Sequence, residues 1–510
     1  MKVAIAADHA GMLLRPAVIE AVRSAGAEPV VLELPNAGPC DDYPDAAQLV
    51  GKAIASGEVA RAVLVCGSGA GVAIAAGKLP LVRAASAHDT YTAHQMVEHD
   101  DANVLAIGSR VVGEAVAREL VAAFLGASFS AEERHARRLA KVLAIHGGPM
   151  NPARQLHQAG QSIWLDNISR TLLQSGTLAH YIEDLAVTGL TSNPSILAHA
   201  LSAQSGYDDS IKDLLADGIT DAQDLVYALA LEDLTAAAGL FRPIWYATQG
   251  ADGYVSVEVP PKLANAKEPT VEFARRLQNQ AAQPNLLVKV PGTPEGLEAV
   301  EDLIAGGTGI NVTLLFSNAH YLGAAEAYLA GLERRLAAGQ PLNVFSVASV
   351  FVSRWDVAAN PMLPSHLHEK LGVAVMQQIY VSYTQLLESE RWKTLAAAGA
   401  LPQKVLWAST STKDPQFPDT YYLGKLAAAG TIDTVPEKTL LAFANHGQMA
   451  ELMKPDDAFA TKTLKEIAAK GIDIEALAAS LQREGAAAFQ ADWATLLSSM
   501  AAKVEKLSKD

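Results

Sequence analysis

Two stretches of this sequence place reactive side chains beside groups able to activate them. The first is Cys66-Gly67-Ser68-Gly69-Ala70-Gly71, which follows the apolar run AVLVC (62–66). Glycines where a strand turns into a helix leave backbone N–H groups free to hold an anion. A thiolate facing such amides suits proton abstraction beside a carbonyl, followed by stabilisation of the enediolate. The loop is not the dinucleotide fingerprint, because Val72 stands where the third glycine would be. Nor is it a Walker A loop, which would close on Gly-Lys-Ser/Thr. Taken alone, a buried structural cysteine beside a tight turn is the commoner outcome for such a residue. The second stretch is LLVKVPG with Lys289. An ammonium in an apolar strand is costly, so its pKa tends to fall and the amine becomes a nucleophile fit for a Schiff base. A lysine snorkelling from a strand end is the commoner case on one strand alone. Neighbouring runs add Asp166, Asn193, Glu258, Asn311 and Thr313 at or near strand ends. Two carboxylates flanking one amine suit carbinolamine formation, dehydration and C–C cleavage.

The elements that must position these groups divide the chain in two. Strand candidates at 2–7, 29–34, 62–66, 83–87 and 103–109 alternate with helical patterns over 12–25, around 45–56, from about 71, and over VARELVAAFL. That alternation predicts βαβ units, a parallel sheet and helices on both faces. Asp8-His9, Asp42-Tyr43-Pro44, His88-Asp89 and Arg110 fall where strands or loops end, and ligands bind at the carboxyl edges of such sheets. The segment AIHGGPMNPA (144–153) collects glycines and prolines and reads as a linker. Beyond it come eight strand candidates: 162–166, 187–192, 254–259, 286–290, 310–316, 344–352, 404–409 and, most weakly patterned, 432–435. Eight βα units predict a (β/α)₈ barrel, in which polar residues at strand ends face the catalytic mouth. The expected class is α/β: a doubly wound, Rossmann-like sheet over 1–143, a linker over 144–153, and a TIM barrel with extra helices over 154–510.

These motifs carry two resemblances. D-H-A-G (8–11), D-Y-P-D (42–45), C-G-S-G-A-G (66–71), H-D-T-Y (88–91), G-S-R-V-V-G (108–113) and R-H-x-R-R (134–138) resemble ribose-5-phosphate isomerase B. The resemblance implies Cys66 as the base moving a proton between C1 and C2, with Ser68 and the amides of Gly67, Gly69 and Gly71 supporting the enediolate. It implies Asp8 and His99 in ring opening, Tyr43 at the sugar, and His9, Arg110, Arg134 and Arg138 on the phosphate. Asp100 departs from the family's usual Asn; an ionised Asp accepts but cannot donate, so another sugar phosphate stays open as substrate. Members form dimers whose sites use both subunits, so a homodimer or larger assembly is expected. S-I-W-L-D-N (162–167), G-L-T-S-N-P (189–194), V-S-V-E-V (255–259), V-K-V-P-G-T (288–293), G-I-N-V-T-L (309–314), S-x-F-V-S-R (349–354) and W-A-S-T-S-T-K-D-P (407–415) resemble transaldolase. That implies Lys289 as the Schiff-base residue. Glu258 would work with Thr313 as acid and base, Asp166 would take the C4 hydroxyl proton, and Asn193 and Asn311 would hold sugar hydroxyls or the imine. Ser349 and Arg354 would bind phosphate, with Ser409 and Lys413 where shorter relatives place an Arg.

Composition narrows the rest. Lys plus Arg number 40 against 55 Asp plus Glu, a net charge of −15, which disfavours nucleic-acid backbones and anionic membranes as partners. Small sugar phosphates need only local cations. The two cysteines, Cys40 and Cys66, cannot staple a chain of 510 residues. No apolar stretch is long enough for a bilayer, and the N-terminal run is too short for a signal peptide. The expectation is a cytoplasmic, two-activity enzyme of the non-oxidative pentose phosphate pathway with no metal or organic cofactor. Two rivals remain at this stage: a non-catalytic first domain that binds sugar phosphate or dimerises, and a barrel that is a fructose-6-phosphate aldolase.

Overall fold

A computed structural model of the chain describes residues 1–34, 38, 41–79, 81–145, 151–203, 205–449 and 451–508. It divides into two compact units, Met1–Asn151 and Pro152–Asp510. Residues 146–150, the middle of the expected linker, lie outside the described residues, as does Cys40.

The first unit runs β1 Lys2–Ala7, α1 Arg15–Ser24, β2 Glu28–Val31, α2 Tyr43–Ala55, β3 Arg61–Cys66, α3 Ala70–Ala76, β4 Ala84–Ser86, α4 Thr90–Asp100, β5 Val104–Gly108, α5 Glu114–Gly126 and α6 Glu133–Ile145. The five strands pair in parallel in the order β2-β1-β3-β5-β4. Alternate residues of β1 feed opposite cores, Val3, Ile5 and Ala7 on one face and Ala4 and Ala6 on the other. A sheet covered by helices on both sides must bury both faces, which is why its strands are apolar at nearly every position. β2 is shorter than the 29–34 expected. Its pairing with β1 ends at Val31, and the Leu32 N–H makes the last bond, to the Ile5 carbonyl.

The second unit contributes β6 Ser162–Asp166, β7 Val187–Thr191, β8 Val255–Glu258, β9 Leu286–Pro291, β10 Ile310–Leu315, β11 Ser346–Phe351, β12 Lys404–Ala408 and β13 Ile432–Val435. All eight lie where expected, and they close a parallel barrel. The weakest pattern, IDTV, is the closing strand: Ile432 pairs with Ser162 and Val435 with Leu165. The long segments after β7 and after β11 fold as helices, among them Pro194–Ala203, Ala222–Ala247, Ser353–Ala359 and Leu371–Leu387. The tail forms helices Ala458–Ala468 and Ile474–Leu507. Leu481, Gly485, Phe489, Trp493, Leu496 and Met500 repeat at helical spacing and are all buried, so the last helix lays one stripe on the barrel. Among the described residues no helix is long and apolar enough to cross a membrane.

Candidate active sites

Strand register assembles the barrel site. Lys289 in β9 has Glu258 of β8 opposite it on one side and Asn311 of β10 on the other. Side chains in register on neighbouring strands share a face, so the three project together into the barrel. Lys289 Nζ lies 3.7 Å from Glu258 Oε2 and donates to the Ser192 carbonyl at 3.4 Å. Beyond that ion pair, neither Glu258 oxygen nor the Thr313 hydroxyl has a hydrogen-bond partner among the described residues, although all three atoms are buried. Burial pushes the Glu258 carboxyl up to about 7, against the opposing pull of the Lys289 charge. A group titrating there gives and takes protons near neutrality. Asp166 ends β6; burial raises its pKa, while the Lys289 charge and a bond from Thr191 hold it down. Thr191 Oγ1 donates to Asp166 Oδ1 at 2.8 Å and lies 2.6 Å from Thr434 Oγ1. Asn311 is fixed at both ends: Nδ2 donates to Ser256 Oγ at 3.2 Å, and Oδ1 accepts from Ser349 Oγ at 2.7 Å. Asn193 follows β7, and its Oδ1 accepts from the Ile196 N–H at 3.0 Å, capping the helix Pro194–Ala203.

In the first unit, Cys66 ends β3 and is buried, with Sγ accepting from the Gly69 N–H at 3.1 Å. Gly69 has φ +79°, a left-handed turn that glycine adopts without cost. Gly108 stands opposite Cys66 in β5, where a Cβ would come within 2.6 Å of the Ser68 carbonyl. Ser68 Oγ accepts from the Ala70 N–H at 3.3 Å. The Tyr43 ring closes over Gly71, and the Arg110 side chain passes Gly67, each near enough to touch a Cβ placed there. Asp8 is buried after β1 and accepts from the Gly11 N–H at 2.9 Å. His9 Nδ1 lies 2.7 Å from Asp41 Oδ1, and this bond raises the His9 pKa. These residues gather at the carboxyl edge of the sheet.

His99 and Asp100 do not join them. They end α4, which starts at the carboxyl edge and runs back along the sheet; eleven residues carry its end about 16 Å away. Arg83 and Asn103 tie the chain there to the starts of β4 and β5. The His99 ring packs 4.0 Å from that of His135 on α6, whose Nδ1 lies 2.6 Å from Ser130 Oγ. Burial first, then the His99 and Arg134 charges, lowers the His135 pKa. Exposed Arg134 and Arg138 share α6 with His135.

A family model described as Transaldolase/Fructose-6-phosphate aldolase matches residues 163–500, more than half of the chain. The chain belongs to the transaldolase family. A transaldolase of Frankia alni is 39% identical over 369 residues, covering 71% of this chain and 99% of the relative. One of Saccharopolyspora erythraea is 42% identical over 358 residues, covering 69% and 97%. A second model, Ribose/Galactose Isomerase, matches residues 3–142. A solved type B ribose 5-phosphate isomerase of Trypanosoma brucei is 45% identical, covering 28% of this chain and 97% of that one, with a TM-score of 0.27. The chain is therefore a bifunctional enzyme of the pentose phosphate pathway, an isomerase-family domain followed by a transaldolase.

The transaldolase mouth also holds an unpaired cation. Arg354, in the helix Ser353–Ala359 after β11, makes no hydrogen bond or ion pair among the described residues. Its guanidinium lies 5.2 Å from the Phe351 ring centre and 5.9 Å from that of Phe489. Gly485 of the last helix leaves it room, since a Cβ there would approach Nη1 to 3.0 Å. Burial lowers the Arg354 pKa. Asp492 and Glu484 act on it only through space, and a partly buried guanidinium with no carboxylate bonded to it suits phosphate. Ser353 Oγ lies 2.9 Å from Ser409 Oγ, so these two hydroxyls flank the start of the Arg354 helix. Ser349 instead bonds Asn311 inside the barrel, and Lys413 is exposed with its Nζ on Ser411. Sequence reasoning missed Asp41, His135, Thr191, Ser353 and Phe489. Ser353, Thr191 and His135 lie inside quoted motifs and so left a signal that could have been found; Asp41 and Phe489 left none.

Proposed function

We propose that the barrel transfers a dihydroxyacetone unit from sedoheptulose 7-phosphate to glyceraldehyde 3-phosphate, giving erythrose 4-phosphate and fructose 6-phosphate. Lys289 Nζ adds to the C2 carbonyl of the ketose, and the carbinolamine loses water to an imine. Glu258, with Thr313 and a water, supplies and removes the protons of those steps. Asp166 takes the C4 hydroxyl proton as the C3–C4 bond breaks, and the imine accepts the electron pair. The aldehyde acceptor then takes the three-carbon unit by the reverse steps. Asn193 and Asn311 hold sugar hydroxyls or the imine; Arg354, with Ser353, Ser409, Ser349 or Lys413, takes the phosphate. The observation that carries this reading is the register placing Glu258 and Asn311 on either side of a buried lysine. Borohydride with fructose 6-phosphate should trap the ketose on Lys289 and leave Lys289→Met unlabelled. Release of free dihydroxyacetone without transfer to an aldehyde would instead indicate an aldolase.

In the first domain, Cys66 moves a proton between C2 and C1 of the opened ribose 5-phosphate, while Ser68 and the amides of residues 67–71 stabilise the enediolate. Asp8 and His99 open the ring, Tyr43 and Asp100 contact the sugar, and His9, Arg110, Arg134 and Arg138 hold the phosphate. Because one chain keeps His99 and Asp100 away from Cys66, a second copy supplies them. Exposed apolar side chains at the carboxyl edge support such a homodimer: Leu13 is 89% exposed, Tyr91 70% and Val111 55%. Cys66→Ala should end ribose 5-phosphate turnover and leave transfer intact. A wild-type chain without isomerase activity would mark the domain as a binding or dimerisation module.

A further inference from the structure

The last helix reaches the barrel site through one side chain that the reaction scheme does not use. Gln482 Nε2 donates to two carbonyls on two strands, Gly292 at 3.0 Å and Leu314 at 2.9 Å. Gly292 directly follows β9, the strand of Lys289, and its own N–H donates to the Thr313 carbonyl at 2.7 Å. Leu314 directly follows Thr313 and has φ +58°, a left-handed residue inside a strand. The pairing of β10 with β11 slips at that point, between Val312 and Leu315. A bulge re-aims the side chains beside it, and a non-glycine residue in this conformation persists only where its surroundings hold it. The carboxamide has two N–H donors for these two carbonyls, one at the bulge and one just past the end of β9. The Leu314 side chain is buried and meets the same helix at Gly485.

We propose that Gln482 is a positioning residue of the barrel site. It pins the Thr313–Leu314 bulge to the end of β9 and thereby sets the Thr313 hydroxyl against Lys289 and Glu258. This rests on the reading of Lys289, Glu258 and Thr313 as the reacting constellation. The tail helix is then part of the active site, and the contribution of Gln482 is to proton transfer rather than to substrate affinity. Gln482→Met keeps the side-chain length and removes both donors; Gln482→Glu keeps the shape and points acceptors at two carbonyls.

The test uses the full-length chain. Transfer kcat and KM, the rate of borohydride trapping at Lys289, the solvent deuterium isotope effect on kcat, and exchange of the 310–316 amides are measured for wild type and both variants. Isomerase turnover of the same samples reports intact protein. The expected result is a kcat lower by about 10-fold to 100-fold, the size of effect a misplaced reacting group produces. KM should stay within about twofold, the isotope effect should grow, and exchange in 310–316 should rise. Unchanged kcat in both variants overturns the proposal, as does a loss of kcat matched by an equal fall in the folded fraction. If one variant does not fold, the other decides. Absence of trapping in the wild type would instead strike the Schiff-base reading itself, so the two failures are distinguishable.

Discussion

Replacing Glu258 by Gln should abolish transfer and also change how the barrel's stability depends on pH. Burial raises the Glu258 carboxyl from 4.5 to about 7. The folded state therefore holds this proton more tightly than the unfolded chain does. The resulting stabilisation is fully present below the ordinary glutamate range and is lost as pH rises through 7. Between about pH 5.5 and about pH 8 the loss is about 2 kcal/mol, at about 1.4 kcal/mol per pKa unit. For a unit spanning Pro152–Asp510 that corresponds to a Tm change of roughly 3 °C. Glutamine carries no such proton, so the variant's Tm should fall by roughly 3 °C less than the wild type's over that window. The substitution also removes the carboxylate 3.7 Å from Lys289, which shifts stability at every pH, so the diagnostic quantity is the difference between the two pH values. Asp356 and Asp433 are raised by burial as well, but they are common to both proteins and cancel; Asp166 is coupled to Glu258, and losing that neighbouring negative charge lowers its raised pKa, which shifts the comparison in the same direction. Scanning calorimetry of the full chain, following the barrel transition, gives the comparison. Equal pH dependence in the two proteins, or a steeper fall in the variant, would refute the argument.

Three further outcomes follow from the geometry. Gly108→Ala places a Cβ within 2.6 Å of the Ser68 carbonyl; it should remove isomerase activity, lower that domain's stability by about 1–3 kcal/mol, and leave transfer unchanged in parallel assays. Mixing unfolded Cys66→Ala and His99→Asn chains and refolding them together should restore about a quarter of wild-type isomerase activity, because half of the dimers then carry one intact site; no recovery would mean a site built within one chain. Arg354→Leu should raise KM for phosphorylated substrates with a smaller effect on kcat, since it removes a charge-assisted contact remote from the breaking bond; a steady-state comparison with dihydroxyacetone, which has no phosphate, would show whether the loss is specific.

Most strands were legible because both of their faces are buried, which leaves apolar runs between turn residues; β2 and β4, at the edges of the first sheet, are only partly buried. The reactive groups were legible for the same reason: Lys289, Glu258 and Asn311 are polar residues inside such runs, and register brings together what the sequence places up to 53 positions apart. What stayed hidden depends on geometry without a local pattern. Ser349 and Ser353 are equally plausible phosphate ligands on paper, but a strand residue bonded to Asn311 and a residue that begins a helix beside Ser409 are in different places. The Leu314 bulge follows a threonine and precedes a leucine, with no glycine to announce a positive φ. Gln482 lies 190 residues from the Gly292 carbonyl it bonds, on a helix whose spacing alone says only that one side is buried. The isomerase resemblance names His99, yet its distance from Cys66 emerges only from the direction of α4.

The two activities therefore differ in what they require of assembly. Every group assigned to the barrel reaction, including Gln482, lies on one unit of one chain, so dilution to monomers should leave transfer per chain unchanged. On the proposed reading the isomerase takes Cys66 from one copy and His99 from another, so its specific activity should fall as the dimer dissociates, and the ratio of the two activities becomes a measure of oligomeric state. Tethering raises the local concentration of one domain's product at the other only if the second domain uses that product. Ribose 5-phosphate carries one phosphate on five carbons, whereas the barrel's proposed donor has seven, so a two-carbon transfer must intervene before any ribose carbon reaches the barrel. Fusion then supplies equal numbers of two sites rather than direct transfer between them. A transient-time measurement decides this: with both activities present and no transketolase, ribose 5-phosphate should yield no erythrose 4-phosphate, and its appearance would overturn the independence of the two sites.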